Sequence, residues 1–286
     1  MSGSVTTWRP DFQIVAHKPS GKLQAIVTSR EKIALWLRFK IWAPMRINRH
    51  SGFYSSHSQF GEDMVLRYLT SDAKEGFYVD VGAHHPVYGS NTYHFYRRGW
   101  RGINIDARPG SIESFNFLRP RDVNIEACLS SKEGENVEYF MFDQGSFNTV
   151  SPEMALKAQA AGARLVATQP VRTTTLARLL ERHLPAGVQI DLLNIDVEGL
   201  DEEILLFHDW ITYPARIVAF ENPCAGMQEI GSLPVVDHLS AFGYTPVARC
   251  GLTVVLQRQA DSSAQNRSAS SNAPLVDEEA RPACPR

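Results

Sequence analysis

The sequence predicts an α/β fold built around a mostly parallel sheet. Three short apolar runs each end in acidic residues: the first at Asp80, the second at Asp106, and the third at Asp196 and Glu198. Segments with helical spacing follow the first and third runs, as expected where helices connect parallel strands. Ligands bind beyond the carboxyl ends of the strands in such sheets, so the three acidic ends define one rim where a ligand should lie.

The first run, Phe77–Val81, combines aromatic and β-branched residues and is predicted to be a buried central strand. Gly82 follows it directly, within the motif VDVGAHHP. A residue without a side chain at this position lets the main chain turn sharply and approach a ligand. The motif therefore predicts that the strand leads into a ligand-binding loop.

The second run, Gly102–Asp106, is predicted to be a neighbouring strand. Asp106 follows Gly82 by 24 residues, and an acidic residue at about this spacing accepts hydrogen bonds from ribose hydroxyls in nucleotide-binding α/β folds. Between the two strands, Ser90–Arg98 carries aromatic residues at helical spacing, with its first residue or Asn91 as the N-cap. Strand, helix and strand thus follow in order.

Further strands are predicted along the chain. The third acidic run, Ile190–Asp196, is another central strand, and the last two strands flank Cys250 and Gly251 as an antiparallel hairpin. The other predicted elements are strands Val123–Cys128, Arg216–Glu221, Tyr244–Arg249 and Leu252–Gln257, an additional strand pair Val137–Phe142 and Ala167–Thr173, and helix Met154–Gly162.

Composition predicts one folded domain with an extension at each end. A chain of 286 residues with 43% hydrophobic residues can bury one sizeable core, and a net charge of −2 gives no overall attraction to nucleic acid. We predict a basic N-terminal extension over residues 1–57, one domain over 58–258 and a disordered polar tail over 259–286. The sequence contains no run of 18 apolar residues and no signal-peptide core, so we expect a cytoplasmic protein.

Residues 30–48 of the N-terminal extension have a basic, amphipathic pattern. Ile33, Trp36, Leu37 and Ile41 share one face of the predicted helix. Two interpretations stay open: the helix packs on the domain, or it lies in a membrane interface or on a partner, as a peripheral contact at the inner face of the membrane. The sequence does not indicate an oligomeric state.

Six segments carry motifs in a fixed order. They are SQFGED (58–63), VDVGAHHP (79–86), SNTYHFYRRGWRGINIDARP (90–109), NIEACLS (124–130), VRTTTLARLL (171–180) and IDVEGLDEEIL (195–205). In order and spacing they resemble the FkbM-type S-adenosylmethionine-dependent methyltransferases over residues 58–258. Within that family the nearest resemblance is to bacterial sugar 2-O-methyltransferases, such as those that act on fucose of nodulation factors.

The resemblance implies the class I methyltransferase fold. This fold is a Rossmann-like, seven-stranded, mostly parallel sheet with an antiparallel C-terminal hairpin at its edge. The implied reaction is methyl transfer to an oxygen, with a hydroxyl of a carbohydrate or another secondary metabolite as the frequent acceptor.

The implied cofactor is S-adenosyl-L-methionine. We expect Asp80 and Gly82 to contact its amino-acid portion, Asp106 its ribose, and Glu126 and Ala127 its adenine. The full set of expected cofactor-binding residues is Asp80, Gly82, Ala83, Asn91, Asp106, Glu126, Ala127 and Asp196.

The reaction requires the acceptor oxygen to be aligned behind the methyl carbon, and an unactivated hydroxyl also requires a base. The candidate catalytic residues are Asp196, Glu198, His84 and His85, and Glu221 is a further carboxylate at the rim. Simpler roles stay open: Asp196 and Glu198 could cap the following helix, and the histidines could hydrogen-bond within their loop.

Asp196, Glu198 and Glu221 also carry oxygen ligands of the kind that divalent cations prefer. Their spacing in the sequence is not diagnostic of a metal site. We therefore predict a methyltransferase that does not require a metal.

The sequence thus predicts an S-adenosylmethionine-dependent O-methyltransferase with a sugar or glycan acceptor. Two alternatives are a nucleotide-sugar or NAD-binding oxidoreductase and a non-catalytic scaffold of the same fold. The incomplete G-x-G-x-x-G pattern disfavours the oxidoreductase. A scaffold would not need three acidic strand ends on one rim. Nucleic acid is not an expected partner, since no basic, aromatic-interleaved face is predicted outside the N-terminal extension.

Overall fold

The computed structural model describes residues 55–223 and 226–259. The predicted amphipathic helix over 30–48 and nearly all of the predicted tail lie outside these residues, so both stay predictions. Within the described part of the chain, no helix combines the length and the apolar character needed to cross a membrane.

The described residues form ten strands and seven α-helices. The strands in chain order are β1 (Phe77–Val81), β2 (Arg101–Asp106), β3 (Val123–Glu126), β4 (Cys128–Leu129), β5 (Asn136–Phe142), β6 (Leu165–Thr174), β7 (Ile190–Ile195), β8 (Ala215–Glu221), β9 (Tyr244–Cys250) and β10 (Thr253–Arg258). The helices are α1 (Glu62–Leu69), α2 (Tyr93–Arg97), α3 (Ile112–Leu118), α4 (Pro152–Ala160), α5 (Leu176–His183), α6 (Asp201–Phe207) and α7 (Pro234–Ser240).

Seven strands form the main sheet, in the order β3-β2-β1-β7-β8-β10-β9. The first five are parallel, whereas β10 is antiparallel to both β8 and β9. This confirms the predicted mostly parallel sheet with an antiparallel C-terminal hairpin. The strand order reverses between β1 and β7, and ligands bind beyond the carboxyl ends of strands at such a reversal.

Apolar side chains bury both faces of the main sheet. Successive residues of a strand point to opposite faces, so in β1 Tyr78 packs beside Trp100 in one core cluster, while Val79 and Val81 belong to the other. Burial of both faces explains why the strands read as almost continuous apolar runs in the sequence.

The prediction of one strand over Val123–Cys128 is wrong. β3 ends at Glu126, and the chain then enters a second sheet, where Cys128 of β4 pairs with Thr173 of β6. The backbone N–H of Ala127 donates to the carbonyl of Asp106 at 3.0 Å, at the point where the chain leaves the main sheet. Apolar periodicity cannot show such a change of pairing partner, because both halves of the segment are extended.

The second sheet has three strands in the order β4-β6-β5. Its antiparallel pair β5 and β6 confirms the predicted strands Val137–Phe142 and Ala167–Thr173. Helix α4 confirms the predicted helix Met154–Gly162 with a shift of two residues, and its Ala155 and Ala158 pack in one cluster with Phe142. This sheet and α4 follow β3 and together precede α5 and β7.

Helix α2 is shorter than the predicted helix Ser90–Arg98. Its N-cap residue is Thr92, so the prediction of Ser90 or Asn91 as the N-cap is wrong, although the hydroxyl of Ser90 accepts a hydrogen bond from the backbone N–H of Tyr93 at 3.1 Å. The side chain of Asn91 instead donates to Asn194 Oδ1 of β7 at 2.9 Å. The side chain of Asn91 is therefore held by the sheet.

Candidate cofactor and active site

A cavity of about 440 Å³ opens at the carboxyl ends of β1, β2 and β7. The loop after β3 and the segment between β5 and α4 complete its wall. A cavity of this size can hold a small organic molecule. The expected site residues that line it are Asp80, Gly82, Ala83, His84, Asn91, Asp106, Ala127, Asp196 and Glu198.

Gly82 connects β1 to the floor of the cavity and cannot be replaced by a larger residue without movement of the backbone. Its φ is 75°, and a Cβ atom placed there would lie 1.7 Å from the carbonyl oxygen of Asp196. Its N–H donates to the carbonyl of Ile105 at 2.9 Å. Glycine is required because the loop after β1 presses against the loop after β7.

Asp106 ends β2 with a nearly buried carboxylate. Its Oδ2 accepts the N–H of His84 at 2.7 Å and its Oδ1 accepts the N–H of Arg108 at 2.8 Å. A carboxylate offers about four acceptor positions, so these two bonds orient the group and leave capacity for hydroxyl donors from a ligand. The role of Asp106 in ribose binding stays a prediction.

Asp80 lies within β1 and is only 2% exposed. Thr92 Oγ1 donates to its Oδ2 at 2.5 Å, and Asn194 Nδ2 donates to its Oδ1 at 2.9 Å. Both oxygen atoms are thus held in place. Burial raises the pKa of Asp80, whereas the nearby Arg119 acts to lower it.

The two histidines of the loop after β1 have different positions. His84 lines the cavity, and its backbone has a φ of 51°. A Cβ atom added to Gly145 would lie 3.0 Å from His84 Cε1, so the ring packs directly on that glycine. Burial lowers the pKa of His84, which favours a neutral ring able to accept a proton.

His85 does not line the cavity, contrary to its predicted place among the catalytic candidates. Its Nδ1 accepts the backbone N–H groups of Val87 and Tyr88, both at 3.0 Å. Burial also lowers its pKa to about 4. These hydrogen bonds fit the structural role in the turn that the sequence left open.

Glu126, expected near the adenine, is exposed and does not line the cavity. Its Oε2 accepts the N–H of Gly110 at 2.7 Å, which directs the carboxylate towards the loop after β2. Ala127, the next residue, does line the cavity. Successive side chains of an extended chain point to opposite sides, so Glu126 at the end of β3 and Ala127 just after it face different ways.

Asp196 and Glu198 follow β7 at the cavity wall. The N–H of Asp196 donates to the carbonyl of Val81 at 3.0 Å, which places the loop beside β1. Neither side chain caps α6, because Leu200 is the N-cap residue and no side chain bonds to the N-terminus there. Among the described residues, neither carboxylate has a hydrogen-bond or ion-pair partner.

The carboxyl groups around Asp196 repel each other. Burial, followed by repulsion from Asp201 and Glu221, raises the pKa of Asp196 well above its usual value. The same two causes raise the pKa of Glu198 to about 8, and burial with repulsion from Glu221 raises that of Asp201 to about 7. This cluster therefore holds protons near neutral pH.

Asp196, Glu198 and Glu221 also present one possible ligand oxygen each, all within 4.8 Å of one another. Such a set could hold a divalent cation. The predicted independence from metal stays a prediction that an experiment must decide.

A model of the methyltransferase FkbM domain matches residues 80–222, half of the chain. This chain belongs to the FkbM methyltransferase family. It is an S-adenosylmethionine-dependent methyltransferase, as the motifs in its sequence predicted.

A search of solved structures finds methyltransferases at low sequence identity. A TehB-like SAM-dependent methyltransferase from Corynebacterium glutamicum is 12% identical with a TM-score of 0.34, and covers 81% of this chain and 100% of its own. The 1,6-didemethyltoxoflavin-N1-methyltransferase of Burkholderia thailandensis is 12% identical with a TM-score of 0.36, covering 83% and 94%. An O-methyltransferase from Bacillus cereus is 10% identical with a TM-score of 0.34, covering 81% and 92%. A comparison with curated proteins finds no match.

The cavity of this FkbM methyltransferase fits its cofactor by the chemistry of its side chains. S-adenosylmethionine carries a cationic sulfonium and an ammonium group, and acidic Asp80 and Asp196 lie in the wall. Asp106 has acceptor capacity beyond its two backbone hydrogen bonds, which ribose hydroxyls could use, and Ala127 is a small residue of the wall. When bound, the cofactor supplies the electrophilic methyl group.

Sequence reasoning missed several residues of the cavity wall. Asn194, a buried amide inside an apolar strand, was the one clear signal, because a buried polar group needs a partner. Tyr139 of β5 and Asn148 of the segment between β5 and α4 also line the cavity. Their place in the wall could not be read from the sequence, because it depends on where the second sheet packs.

Proposed function

We propose that this FkbM methyltransferase methylates a hydroxyl of a sugar, in a glycan, a glycolipid or a related metabolite. The 2-hydroxyl of a deoxyhexose is the position that the sequence resemblance implies. The observation that carries the proposal is the carboxylate of Asp196, which faces the cavity and has no partner among the described residues.

Asp196 suits the role of general base. A sugar hydroxyl is a weak acid, and a carboxylate with a raised pKa is a stronger proton acceptor than an ordinary one. As the acceptor oxygen bonds to the methyl carbon, the carbon–sulfur bond breaks with its electrons going to sulfur. The hydroxyl proton passes to Asp196. Glu198 and His84 are the alternative bases at the same wall.

The charge of this wall supports a neutral acceptor. Those of Asp196, Glu198, Asp201 and Glu221 that are ionised at a given pH would repel a phosphate or carboxylate placed beside them. The hydroxyl groups of a sugar instead donate hydrogen bonds to carboxylate oxygens. The same reasoning argues against a nucleic-acid acceptor.

The segment between β5 and α4 supports a covered acceptor site. Gly145 packs on the ring of His84, and Thr149 Oγ1 donates to the carbonyl of Glu198 at 3.1 Å. One short segment thus contacts both the loop after β1 and the loop after β7. Exclusion of water by such a cover strengthens the electrostatic interactions of the reaction.

The test is transfer of labelled methyl from S-adenosylmethionine to a fucoside, with the matching 2-deoxyfucoside as the control acceptor. We expect product from the first acceptor alone, formed about 10²–10⁴-fold more slowly by Asp196→Asn. Equal methylation of both acceptors would move the site to another hydroxyl. Transfer to amines or nucleic acid, and none to any sugar, would contradict the proposal. Cofactor binding without transfer to any acceptor class would favour the scaffold alternative.

Peripheral membrane contact through residues 30–48 is a separate proposal. It rests on the basic, amphipathic pattern of that segment. Flotation of the full chain with anionic liposomes is expected, and loss of flotation on replacing Trp36 and Trp42 with serine would support it. A chain that never floats would contradict it.

A further inference from the structure

A buried cation lies behind the cofactor side of the cavity. Arg119, at the C-terminal end of α3, is 0% exposed and is not part of the cavity wall. Its Nε lies 3.3 Å from Oδ2 of Asp122, whose side chain is equally buried. A buried charge is costly unless it is paired, and Asp122 supplies one partner.

Arg119 also reaches the cavity through one hydroxyl group. Its Nη2 donates to Thr92 Oγ1 at 2.8 Å, and Thr92 Oγ1 donates to Asp80 Oδ2 at 2.5 Å. A hydroxyl has a single proton, so its lone pair takes the guanidinium N–H while its proton goes to the carboxylate. The chain of bonds therefore has one direction, from the cation to Asp80.

Four aromatic rings hold the guanidinium in this position. Its Cζ lies 5.3 Å from the ring centroid of Tyr78, 5.4 Å from Tyr96, 5.8 Å from Phe115 and 5.9 Å from Tyr93. Rings at these distances attract a cation and exclude water. Arg119 is thus fixed one hydroxyl group away from Asp80, whose carboxylate would otherwise be buried without a cation.

Asp80 needs such a cation if it binds the cofactor. Burial favours the neutral carboxylic acid, whereas the ammonium and sulfonium groups of S-adenosylmethionine require a carboxylate. Asn194 and Thr92 orient the group, but neither carries a charge. Their hydrogen bonds favour the charged form, and Arg119, the one cation among the described residues hydrogen-bonded to this network, adds to that stabilisation.

We propose that Arg119 is a positioning residue for cofactor binding, which holds Asp80 as an oriented carboxylate through the hydroxyl of Thr92. The proposal rests on the cofactor role expected of Asp80 within the methyltransferase site. It assigns a function to a residue that touches neither the cofactor nor the acceptor.

The groups that face Asp80 decide how the proposal can be tested by pH. They are Arg119 after α3, Asp122 before β3, Tyr78 on the same strand and Asp196 after β7. Arg119 is the one cation among these four. Weakening the hydrogen-bonded link between Arg119 and Asp80 should therefore raise the pKa of Asp80.

The test compares Thr92→Val with the native full-length chain. The dissociation constant of S-adenosylhomocysteine is measured by calorimetry from about pH 6 to about pH 9, and the ratio of variant to native is followed. The ratio cancels titrations that both proteins share, including that of Asp196. We expect a ratio well above one at low pH that falls as pH rises, by up to about tenfold per pH unit.

Three further variants make the result specific. Thr92→Ser keeps the hydroxyl and should restore native affinity. Thr70→Val removes an equally buried threonine hydroxyl that bonds to the carbonyl of Leu66, away from the cavity, and should change stability alone. In an Asp80→Asn background, Thr92→Val should cause no further loss of affinity. Arg119→Gln removes the cation but leaves the hydroxyl of Thr92, so it should show the same pH dependence, and it replaces Thr92→Val if that variant does not fold.

A ratio that does not change with pH, together with reduced thermal stability, would overturn the proposal and leave Arg119 a structural residue. If the native protein binds no S-adenosylhomocysteine, the cofactor role of Asp80 is contradicted, and the proposal that rests on it is overturned as well. Native binding combined with a flat ratio affects the role of Arg119 alone.

Discussion

Asp80 in β1 and Asp196 just after the neighbouring strand β7 lie at the same edge of the sheet, in opposite surroundings. Asp80 accepts hydrogen bonds from Thr92 and Asn194 and has Arg119 behind it. Asp196 has no side-chain partner among the described residues and lies near three other carboxyl groups. Asp80 thus has hydrogen-bond donors and a nearby cation, whereas several carboxyl groups cluster around Asp196.

This difference shows that the surroundings of the two carboxylates, and not their residue type, give them different expected roles. Burial raises the pKa of Asp80, and its hydrogen bonds and the nearby cation oppose that shift and favour the carboxylate that a cationic cofactor requires. A carboxyl group among other carboxyl groups has a raised pKa, and its ionised form is a stronger proton acceptor. We expect Asp80 to serve binding and Asp196 to serve chemistry.

The replacement Asp196→Asn should have the largest effect on turnover. Loss of a general base lowers kcat by about 10²–10⁴-fold, while the affinity for S-adenosylhomocysteine should change much less. Asp80→Asn should show the reverse, with affinity reduced more than kcat. Kinetics and calorimetry on both variants measure the two effects. A larger loss of kcat in Glu198→Gln or His84→Gln would move the base to that residue.

The replacement Gly82→Ala tests the contact between the two regions. The new Cβ would overlap the carbonyl of Asp196, whereas at Gly187, with a similar φ of 76°, a Cβ would meet nothing within 4 Å. Gly187→Ala should cost only the backbone strain of about 1–2 kcal/mol. Chemical denaturation should show a clearly greater loss for Gly82→Ala. Equal losses would mean that the contact between the two loops is not tight.

Protein stability should fall as pH rises through neutrality. The pKa of Glu198 rises from 4.5 to about 8 on folding and that of Asp201 from 3.8 to about 7. Groups with a raised folded pKa contribute stability that is full below their unfolded pKa and is lost as pH rises through the folded value. Thermal unfolding between about pH 5 and pH 8 measures this. Glu198→Gln should flatten the profile, and an unchanged slope would contradict the assignment.

Removal of metal should have the smallest effect. We expect activity to survive thorough EDTA treatment, because protons can balance the charge of the carboxyl cluster at neutral pH. Calorimetric titration with magnesium provides the control. Activity that is lost with EDTA and restored by magnesium would show that Asp196, Glu198 and Glu221 hold a cation.

Sequence reasoning reached most of the fold because its signals are local. Each central strand is an apolar run closed by a turn, and the positions of Asp80, Gly82, Asp106 and Asp196 follow from where those runs end. It did not predict which of two neighbouring histidines lines the cavity. His84 faces the cavity and His85 does not, since one backbone angle separates them.

The sequence by itself determined the order of strands and helices, the acidic strand ends and the membership of the FkbM family. Only the tertiary structure decided which carboxylates are paired, because their partners come from distant parts of the chain. Asp80 and Asn194 are 114 residues apart, and Arg119 reaches Asp80 only through Thr92. Charge and burial depend on such contacts, so the division between binding and chemistry is a property of the folded site.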